Sequence, residues 1–550
     1  MALDPDEHDR AELQALLDAD TPEATAELVD RFDGRLRFGT AGLRAPMGAG
    51  PRRMNRVVVR QTAAGLVRWL GGYATAEPMV VIGYDARFRS EEFALETARV
   101  VAAAGGWPRL LPGPLPTPVL AFAIGRLGAD AGVMCTASHN PGSDNGYKVY
   151  LADGAQIVSP IDAGIARLVD AVAREGGQVP LADPDDPAIE RVGREILDDY
   201  AAHVDARADH AAGPLRIAYT PMHGVAGELA TGRLAAAGFD DVHVVDEQFA
   251  PDPAFPTLPF PNPEEPGALD LVEALADDVD ADLVLANDPD GDRLGVAVRD
   301  GDRWRALTGN EIGALLADDL LARGTNPDRL VVTTIVSSRL VPAIAAAAGV
   351  HHEETLTGFK WIVRPAIAHP HWSFVFGFEE ALGFSVDGTI RDKDGISAAL
   401  AVAALAAGLK GVGRTMLDRL DELSRRFGHH AGRTWSTRFD GHDRSARMSA
   451  TMQRWRDEPP AELAGVAVTT SRDLLTDPLL PPADALVVDL EDGSRVVLRP
   501  SGTEPKLKVY LEVVVPVGDG PDDLAAAKDQ GSERVEALRV AVAEGLGLAP

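Results

Sequence analysis

Residues 131–150 read AGVMCTASHNPGSDNGYKVY. An apolar, strand-like run, Ala131 to Cys135, empties into Thr136, Ala137, Ser138, His139, Asn140 and Pro141. Ser, Asn, Pro and Gly dominate turns for local backbone reasons, so taken alone the segment reads as a strand followed by a polar turn. A serine and a histidine at the end of a buried strand support a second reading, because ligands in open parallel sheets sit at the carboxyl ends of strands.

The plan of this segment recurs along the chain. Before it, MVVIGYD (79–85) reads as a short strand and SEEFALETARVVAAAGG (90–106) as a helix with acidic residues in its first turn. PRLLPG (108–113) reads as a strand and TPVLAFAIGRLG (117–128) as a helix. The pattern restarts at LRIAYTPMHG (215–224), continues through ADLVLA (281–286), and restarts again at RLVVTTIVSSR (329–339). Short apolar runs separated by helical stretches argue for βαβ units and largely parallel sheets. From about 430 the style changes to strands such as ALVVDL (485–490) and RVVLRP (495–500), with a closing helix from Asp522 to Gly545. The expected fold is α/β, with three similar mixed α/β domains and a smaller C-terminal α+β domain. The boundaries fall at 1–212, 213–306, 307–429 and 430–550. The first 35 or so residues read as acidic amphipathic helices, and the Pro-rich stretches 251–266 and 478–482 as long loops.

The 550 residues suggest about three to four domains. The net charge of −31 disfavours nucleic acid and anionic membrane surfaces as partners. An anionic substrate would need a local cluster of positive charge. Cys135 is the one cysteine, so no intramolecular disulfide can form and a reducing cytoplasm fits. The opening MALDPDEHDRAEL lacks the basic and apolar regions of a signal peptide. The apolar run Ile396 to Leu409 is too short to span a membrane and reads as a core helix. Seven of the 53 basic residues are lysine, and Lys148, Lys360, Lys393, Lys506 and Lys508 lie in or beside candidate ligand loops, among them the glycine-flexed Thr357-Gly358-Phe359-Lys360 and Arg391-Asp392-Lys393-Asp394-Gly395.

Asp288-Pro289-Asp290-Gly291-Asp292-Arg293 follows an apolar strand. Three carboxylates at i, i+2 and i+4 on a turn bent by Pro and Gly converge on one hard cation, which relieves their repulsion. An EF-hand loop would need Gly at its sixth position and Glu at its twelfth, where this chain has Arg293 and Arg299. Three protein carboxylates leave positions open, which suits Mg²⁺ shared with a phosphate oxygen. Asp-x-Asp after a strand also suggests the aspartyl nucleophile of haloacid-dehalogenase-type phosphatases, but Gly291, Asp292 and Arg293 fit that pattern poorly. Gly377-Phe378-Glu379-Glu380-Ala381-Leu382-Gly383 reads as a loop whose carboxylates accept from sugar hydroxyls. Arg499-Pro500-Ser501-Gly502-Thr503-Glu504-Pro505-Lys506 combines a guanidinium, two hydroxyls and backbone N–H groups into an anion cradle. Phe38-Gly39-Thr40-Ala41-Gly42-Leu43-Arg44 has the same character. Together the loops suggest phosphoryl transfer, in which catalysis is mostly positioning and neutralisation of charge. Arg44, Lys148, Arg293, Lys393 and Arg499 would supply the positive charge. A Ser-His-Asp hydrolase is not expected, because adjacent side chains such as Ser138 and His139 usually diverge.

TASHNP, DPDGDR and RPSGTEPK, in this order and spacing, resemble the α-D-phosphohexomutase superfamily from Phe38 to about Tyr510. FGTAGLR and GFEEALG are most similar to its phosphoglucomutase-2-like branch. The resemblance implies four domains around a central cleft, and an enzyme moving a phosphoryl group between the 1- and 6-positions of glucose or mannose phosphate. Ser138 would be the phosphoserine, and Ser138, Asp288, Asp290 and Asp292 would hold one Mg²⁺. Arg44, His139, Lys148 and Arg293 would line the transfer site. Glu379 would hold sugar hydroxyls, Lys393 a phosphate, and Arg499, Ser501, Gly502 and Thr503 the non-reacting phosphate. A bisphosphorylated sugar would be both intermediate and activator. Where many members have Ser and some have His after the sugar-binding Glu, this chain has Ala381 and Gly383. That leaves sugar preference and general base open, with Lys148 ahead of His139 as base. The alternatives are a phosphopentomutase, a glucose-1,6-bisphosphate synthase, and a non-catalytic phosphosugar-binding protein. The expected partner is a small phosphosugar, with no nucleic acid or membrane, and the chain acts as monomer or dimer.

Overall fold

The strand Ala131–Cys135 is buried at every residue, as an unbroken apolar run requires when both faces of a sheet are covered. It is the third strand of a six-stranded sheet in the order Leu43–Pro46, Asp144–Leu151, Ala131–Cys135, Met79–Tyr84, Trp107–Pro114, Glu190–Arg191. Met79–Tyr84 pairs in parallel with both Ala131–Cys135 and Trp107–Pro114. Asp144–Leu151 returns antiparallel, with Met134 opposite Lys148. The helices Arg56–Tyr73, Ser90–Ala103, Thr117–Leu127 and Ile161–Arg174 flank this sheet. A computed structural model describes the chain except residues 1–2, 40–41, 74, 76, 208–212, 440–443, 502–505 and 549–550.

A second sheet repeats the plan. Ile217–Thr220 lies parallel to Val242–Val244 and Leu283–Asn287, and Leu294–Asp300 returns antiparallel along Leu283–Asn287. In a third, Arg329–Thr334 lies parallel to His351–Thr355 and to Ser373–Glu379. The fourth sheet differs in kind. Its six strands run in the order His429–Arg438, Lys506–Val515, Arg495–Pro500, Leu486–Leu490, Val466–Asp473, Glu462–Leu463, all antiparallel. The helix Asp523–Leu546 packs on it. This is the change of style that the sequence shows near residue 430.

The chain forms two compact units. Met1–Leu307, Ala366–Pro370 and Ala381–Val412 make the first; Thr308–Pro365, His371–Glu380 and Gly413–Pro550 make the second. Ala381–Val412 belongs to the first through its polar anchors. Tyr150 donates to Asp392 at 2.6 Å and Tyr200 to Asp394 at 2.9 Å. Asp394 also caps the helix Gly395–Gly411 by accepting from the Ile396 and Ser397 N–H groups. That helix is the apolar run of the sequence, and its apolar residues are mostly buried. Among the described residues no single helix is long and apolar enough to cross a membrane. The loop expected at 377–383 is shorter than the sequence suggested, because the strand Ser373–Glu379 continues through Glu379 and Gly383–Ser385 begins another. Phe376 and Phe378 are fully buried and lock the strand end. Gly313 of the helix Gly309–Ala322 leaves room for the Phe378 ring: an ideal Cβ would lie 2.6 Å from Phe378 Cε2.

Gly65 serves the same end in the helix Arg56–Tyr73, where a Cβ would lie 2.8 Å from the Val169 backbone nitrogen. Gly65→Ala is expected to destabilise the protein by about 1–3 kcal/mol through overpacking. Gly71→Ala in the same helix meets open space and is expected to be neutral or slightly stabilising. Melting curves of the two variants against the parent check this.

Candidate active site

The strand Leu283–Asn287 is buried at every residue, and its end carries the Asp-Pro-Asp-Gly-Asp-Arg turn. Gly291 has φ 68° and donates its N–H to the Asp288 carbonyl at 2.9 Å, which closes the turn. The turn after Ile217–Thr220 lies against it so closely that a Cβ on Gly224 would be 2.4 Å from Pro289 Cα. The result is a convergent trio: carboxylate oxygens of Asp288, Asp290 and Asp292 all lie within 4.8 Å of one another. All three residues are at most 1% exposed.

Their remaining contacts come from elsewhere in the first unit. Thr117 Oγ1 donates to Asp290 Oδ2 at 2.6 Å. Lys148 Nζ donates to Asp290 Oδ2 at 2.8 Å and to Asp292 Oδ2 at 3.1 Å. Lys393 Nζ reaches Asp292 Oδ2 at 3.1 Å. The Arg293 N–H donates to Asp288 Oδ1 at 3.0 Å. Asp290 Oδ1 and Asp292 Oδ1 are buried with no hydrogen-bond partner. Burial, then Asp292 and Asp290, push the Asp288 carboxyl well up from its ordinary range. Burial also works against charge on Asp290, but Lys148 and Thr117 outweigh it and hold that carboxyl down. Burial opposes the Lys148 ammonium too, and Asp290 with Asp292 reverse the effect and raise its pKa. Lys148 Nζ is thus held between two of the three carboxylates.

Ser138 lies at the end of Ala131–Cys135, 3% exposed, and its Oγ donates to Asp288 Oδ2 at 3.0 Å. Its backbone is left-handed, with φ 54°. This conformation corrects the expectation that Ser138 and His139 diverge, because Ser138 Oγ lies 3.1 Å from His139 Nδ1. Burial, then Arg293 and Arg44, push the half-buried His139 imidazole well below its ordinary range. Arg44 is exposed and donates to Asn140 Oδ1 at 2.8 Å. Arg293 pairs with Glu264 at 3.3 Å. The first unit therefore gathers Ser138, His139, Lys148, Asp288, Asp290, Asp292, Arg293, Lys393 and Arg44 about one group of strand ends.

Glu379, Arg499 and Ser501 belong to the second unit. Glu379 ends the strand Ser373–Glu379, half-buried, and Arg499 lies near the end of Arg495–Pro500. The two motifs meet at Tyr510. Burial and then Glu380 raise this phenol's pKa, while the nearby Arg499 guanidinium opposes the rise. The Ser501 N–H donates to the Lys506 carbonyl at 2.7 Å across the base of the cradle. Gly502 and Thr503 lie outside the described residues, as do Thr40 and Ala41 of the N-terminal glycine loop.

Several contributors escaped the sequence reading. Thr117 begins the helix after Trp107–Pro114, so the strand-end rule applied to that strand points to it. Asn140 sits within the serine loop, where its hydrogen bond to Arg44 is set by folding. Tyr150, Tyr200 and Tyr510 carry no local signal, because an apolar strand or helix accommodates tyrosine whether or not its hydroxyl is used.

Sequence models of the phosphoglucomutase/phosphomannomutase family match in succession. These are alpha/beta/alpha domain I over residues 35–175, domain II over 197–301, domain III over 308–427 and the C-terminal domain over 451–517. A Haemophilus influenzae protein named "Probable phosphomannomutase" is 43% identical over 488 residues, which is 88% of this chain and 97% of that protein. A Staphylococcus aureus phosphoglucomutase is 33% identical over 510 residues, covering 90% of this chain and 92% of its own. A Burkholderia thailandensis phosphoglucomutase/phosphomannomutase family protein of known structure shares the fold. Its TM-score is 0.68 at 22% identity, over 92% of this chain and 97% of its own. The four successive domains, three alpha/beta and one C-terminal, and the buried aspartates behind a strand-end serine lead to one conclusion: this chain belongs to the phosphoglucomutase/phosphomannomutase family of the α-D-phosphohexomutase superfamily and is a phosphohexose mutase, an isomerase that works by phosphoryl transfer.

Proposed function

We propose that the enzyme interconverts the 1- and 6-phosphates of glucose or mannose through a phosphoryl group carried on Ser138. The observation that carries this reading is the hydroxyl of Ser138, held 3.0 Å from Asp288 Oδ2 beside two buried carboxylates with unpartnered oxygens. A neutral environment would not keep such oxygens, since an unsatisfied buried acceptor is costly. They fit a hard divalent cation, and Mg²⁺ would be held by Asp288, Asp290, Asp292 and an oxygen on the Ser138 side chain. Bound there, Mg²⁺ supplies neutralisation of charge on the transferring phosphoryl group.

The chain's own residues have distinct parts in the transfer. A sugar hydroxyl attacks phosphorus in line, the bond from phosphorus to Ser138 Oγ breaks, and the hydroxyl proton leaves to a base. Two groups are placed to serve as that base: Lys148, whose Nζ lies against Asp290 and Asp292, and His139, whose Nδ1 lies 3.1 Å from Ser138 Oγ. Lys148, Lys393, Arg44 and Arg293 offset the phosphate charge in a chain whose net charge is −31. The sugar then carries two phosphates, and transfer of the other one back to Ser138 completes the isomerisation. A bisphosphorylated sugar added from solution would prime Ser138 in the same way. Glu379 holds sugar hydroxyls and the Arg499 cradle, with Ser501, Gly502 and Thr503, holds the phosphate that does not react. Guanidinium binds phosphate through two parallel N–H donors, which fixes orientation as well as charge.

Incubation with glucose 1,6-bisphosphate and Mg²⁺, followed by peptide mass spectrometry, is expected to place a phosphoryl group on Ser138. Ser138→Ala is expected to remove it and to lower kcat for glucose 1-phosphate by about three orders of magnitude or more. Label on Asp288 instead would support an aspartyl-phosphate mechanism. Asp290→Asn is expected to weaken Mg²⁺ binding at least about tenfold, read by calorimetric titration. Comparison of kcat/KM for glucose 1-phosphate, mannose 1-phosphate and ribose 1-phosphate assigns the sugar, with the hexoses expected to lead.

A further inference from the structure

Ser138 is a non-glycine residue with φ 54°. Left-handed backbone is disfavoured for a residue with a Cβ and persists at functional sites only where its surroundings over-determine it. The source of that constraint lies behind the loop, in residues that the transfer chemistry above does not use. Arg87, only 4% exposed, directs its guanidinium into the serine loop. Its Nη2 donates to the carbonyls of Ser138 and Asn140, each at 2.5 Å. Its Nη1 donates to the carbonyls of Pro141 at 2.8 Å and Asp144 at 3.2 Å. On the other flank of the same residue, the Ser138 N–H donates to Thr136 Oγ1 at 2.8 Å. Thr136 Oγ1 in turn donates to Asp85 Oδ2 at 2.6 Å.

Asp85 closes the network. It accepts from Ser90 Oγ at 2.6 Å and from the Arg87 N–H at 3.1 Å, and its Oδ2 lies 3.5 Å from Arg87 Nε. Residues from the second sheet's connections press on the same assembly. Phe255 of the Pro-rich loop places its ring 4.8 Å from Arg87 Cζ. A Cβ on Gly142 would lie 2.9 Å from the Pro253 carbonyl. The two peptide groups that flank Ser138 are therefore held by Arg87 on one side and, on the other, by Thr136, which is itself bonded to Asp85.

We propose that Arg87 is the positioning residue for the Ser138 nucleophile. Together with Asp85 and Thr136 it clamps the left-handed backbone that sets Ser138 Oγ against Asp288 and His139. Arg87 is suited to this because its planar fork reaches four carbonyls at once, a task the single ammonium of lysine cannot perform. The Pro-rich loop contributes by seating Phe255 on the guanidinium, which links the serine loop to the part of the chain that carries the aspartates.

This inference rests on Ser138 as the phosphoryl carrier, and the test separates the two. The full chain with Mg²⁺ is compared with Arg87→Lys, which keeps the charge and loses the fork, and with Thr136→Val, which keeps the shape and loses the hydroxyl. Three quantities are measured: the rate of Ser138 phosphorylation by glucose 1,6-bisphosphate, kcat and KM for glucose 1-phosphate, and the melting temperature. Displacement of a reacting atom by about 1 Å costs about a hundredfold. Arg87→Lys is therefore expected to lower both the phosphorylation rate and kcat by about that factor, with KM within about threefold. Thr136→Val is expected to lower them about tenfold with the same split. A folded Arg87→Lys with kcat and phosphorylation rate within about threefold of the parent overturns the inference. If Arg87→Lys does not fold, a parent-like phosphorylation rate in Thr136→Val overturns it. Turnover by the parent enzyme with no phosphoryl group on Ser138 overturns the phosphoserine reading itself, and this inference with it.

Discussion

Mutual repulsion among Asp288, Asp290 and Asp292 is the constraint around which the first unit is arranged. Their oxygens lie within 4.8 Å of one another. Each like-charged pair at that range costs about 3–4 kcal/mol at an effective dielectric of 20. The turn supplies only part of the answer, through N–H donation from Arg293 to Asp288. Ser138, Thr117 and the two ammonium groups of Lys148 and Lys393 add to it, and all four must be carried in from distant segments. Tyr150, Gln156 and Tyr200 then anchor the loop that carries Lys393. Much of the buried polar structure of this unit can be followed back to three negative charges on five residues.

The same arrangement shows how a strongly acidic protein comes to handle phosphate. A net charge of −31 repels anions at long range, although salt screens exposed charges beyond about 8–10 Å. Buried cations are screened far less. Lys148 and Lys393 are paired with carboxylates, so their charge is neutralised within the cluster until a further cation joins the aspartates. The unpartnered oxygens of Asp290 and Asp292 are the remaining acceptors. In the second unit the arrangement is simpler, with Arg499 near the end of a strand of an antiparallel sheet that holds no comparable acidic cluster among the described residues.

Particular elements show where sequence reading was sufficient. The run ADLVLA followed by DPDGDR reads as a buried strand and an ion-binding turn because both properties are local: apolar continuity, and charge spacing along a bend. The helix Gly395–Gly411 is legible from the length and composition of the run Ile396 to Leu409, and the structure adds Asp394 as its cap. Alternation alone points one of the two neighbouring glutamates of GFEEALG outward, which suggests a longer loop. The strand nonetheless continues to Glu379, secured by the burial of Phe376 and Phe378. Ser138 and His139 were expected to diverge, as adjacent residues do on regular backbone, and the left-handed serine brings them to 3.1 Å.

What the sequence by itself determined was the set of chemical groups and their local presentation. It placed a serine, three aspartates and an arginine cradle on turns at strand ends, in a run of α/β segments closed by an α+β one. Tertiary structure decided which groups meet and in what state. Ser138 and Asp288 are 150 residues apart and hydrogen-bonded. Lys148 became a paired cation, and Arg87, unremarked in the sequence, became the clamp of the serine loop. Turns and strands follow from short-range sterics and patterning, which are written within a few residues. Distances between turns, backbone strain and the charge state of a buried group depend on what packs against them, and that is fixed only when distant segments fold together.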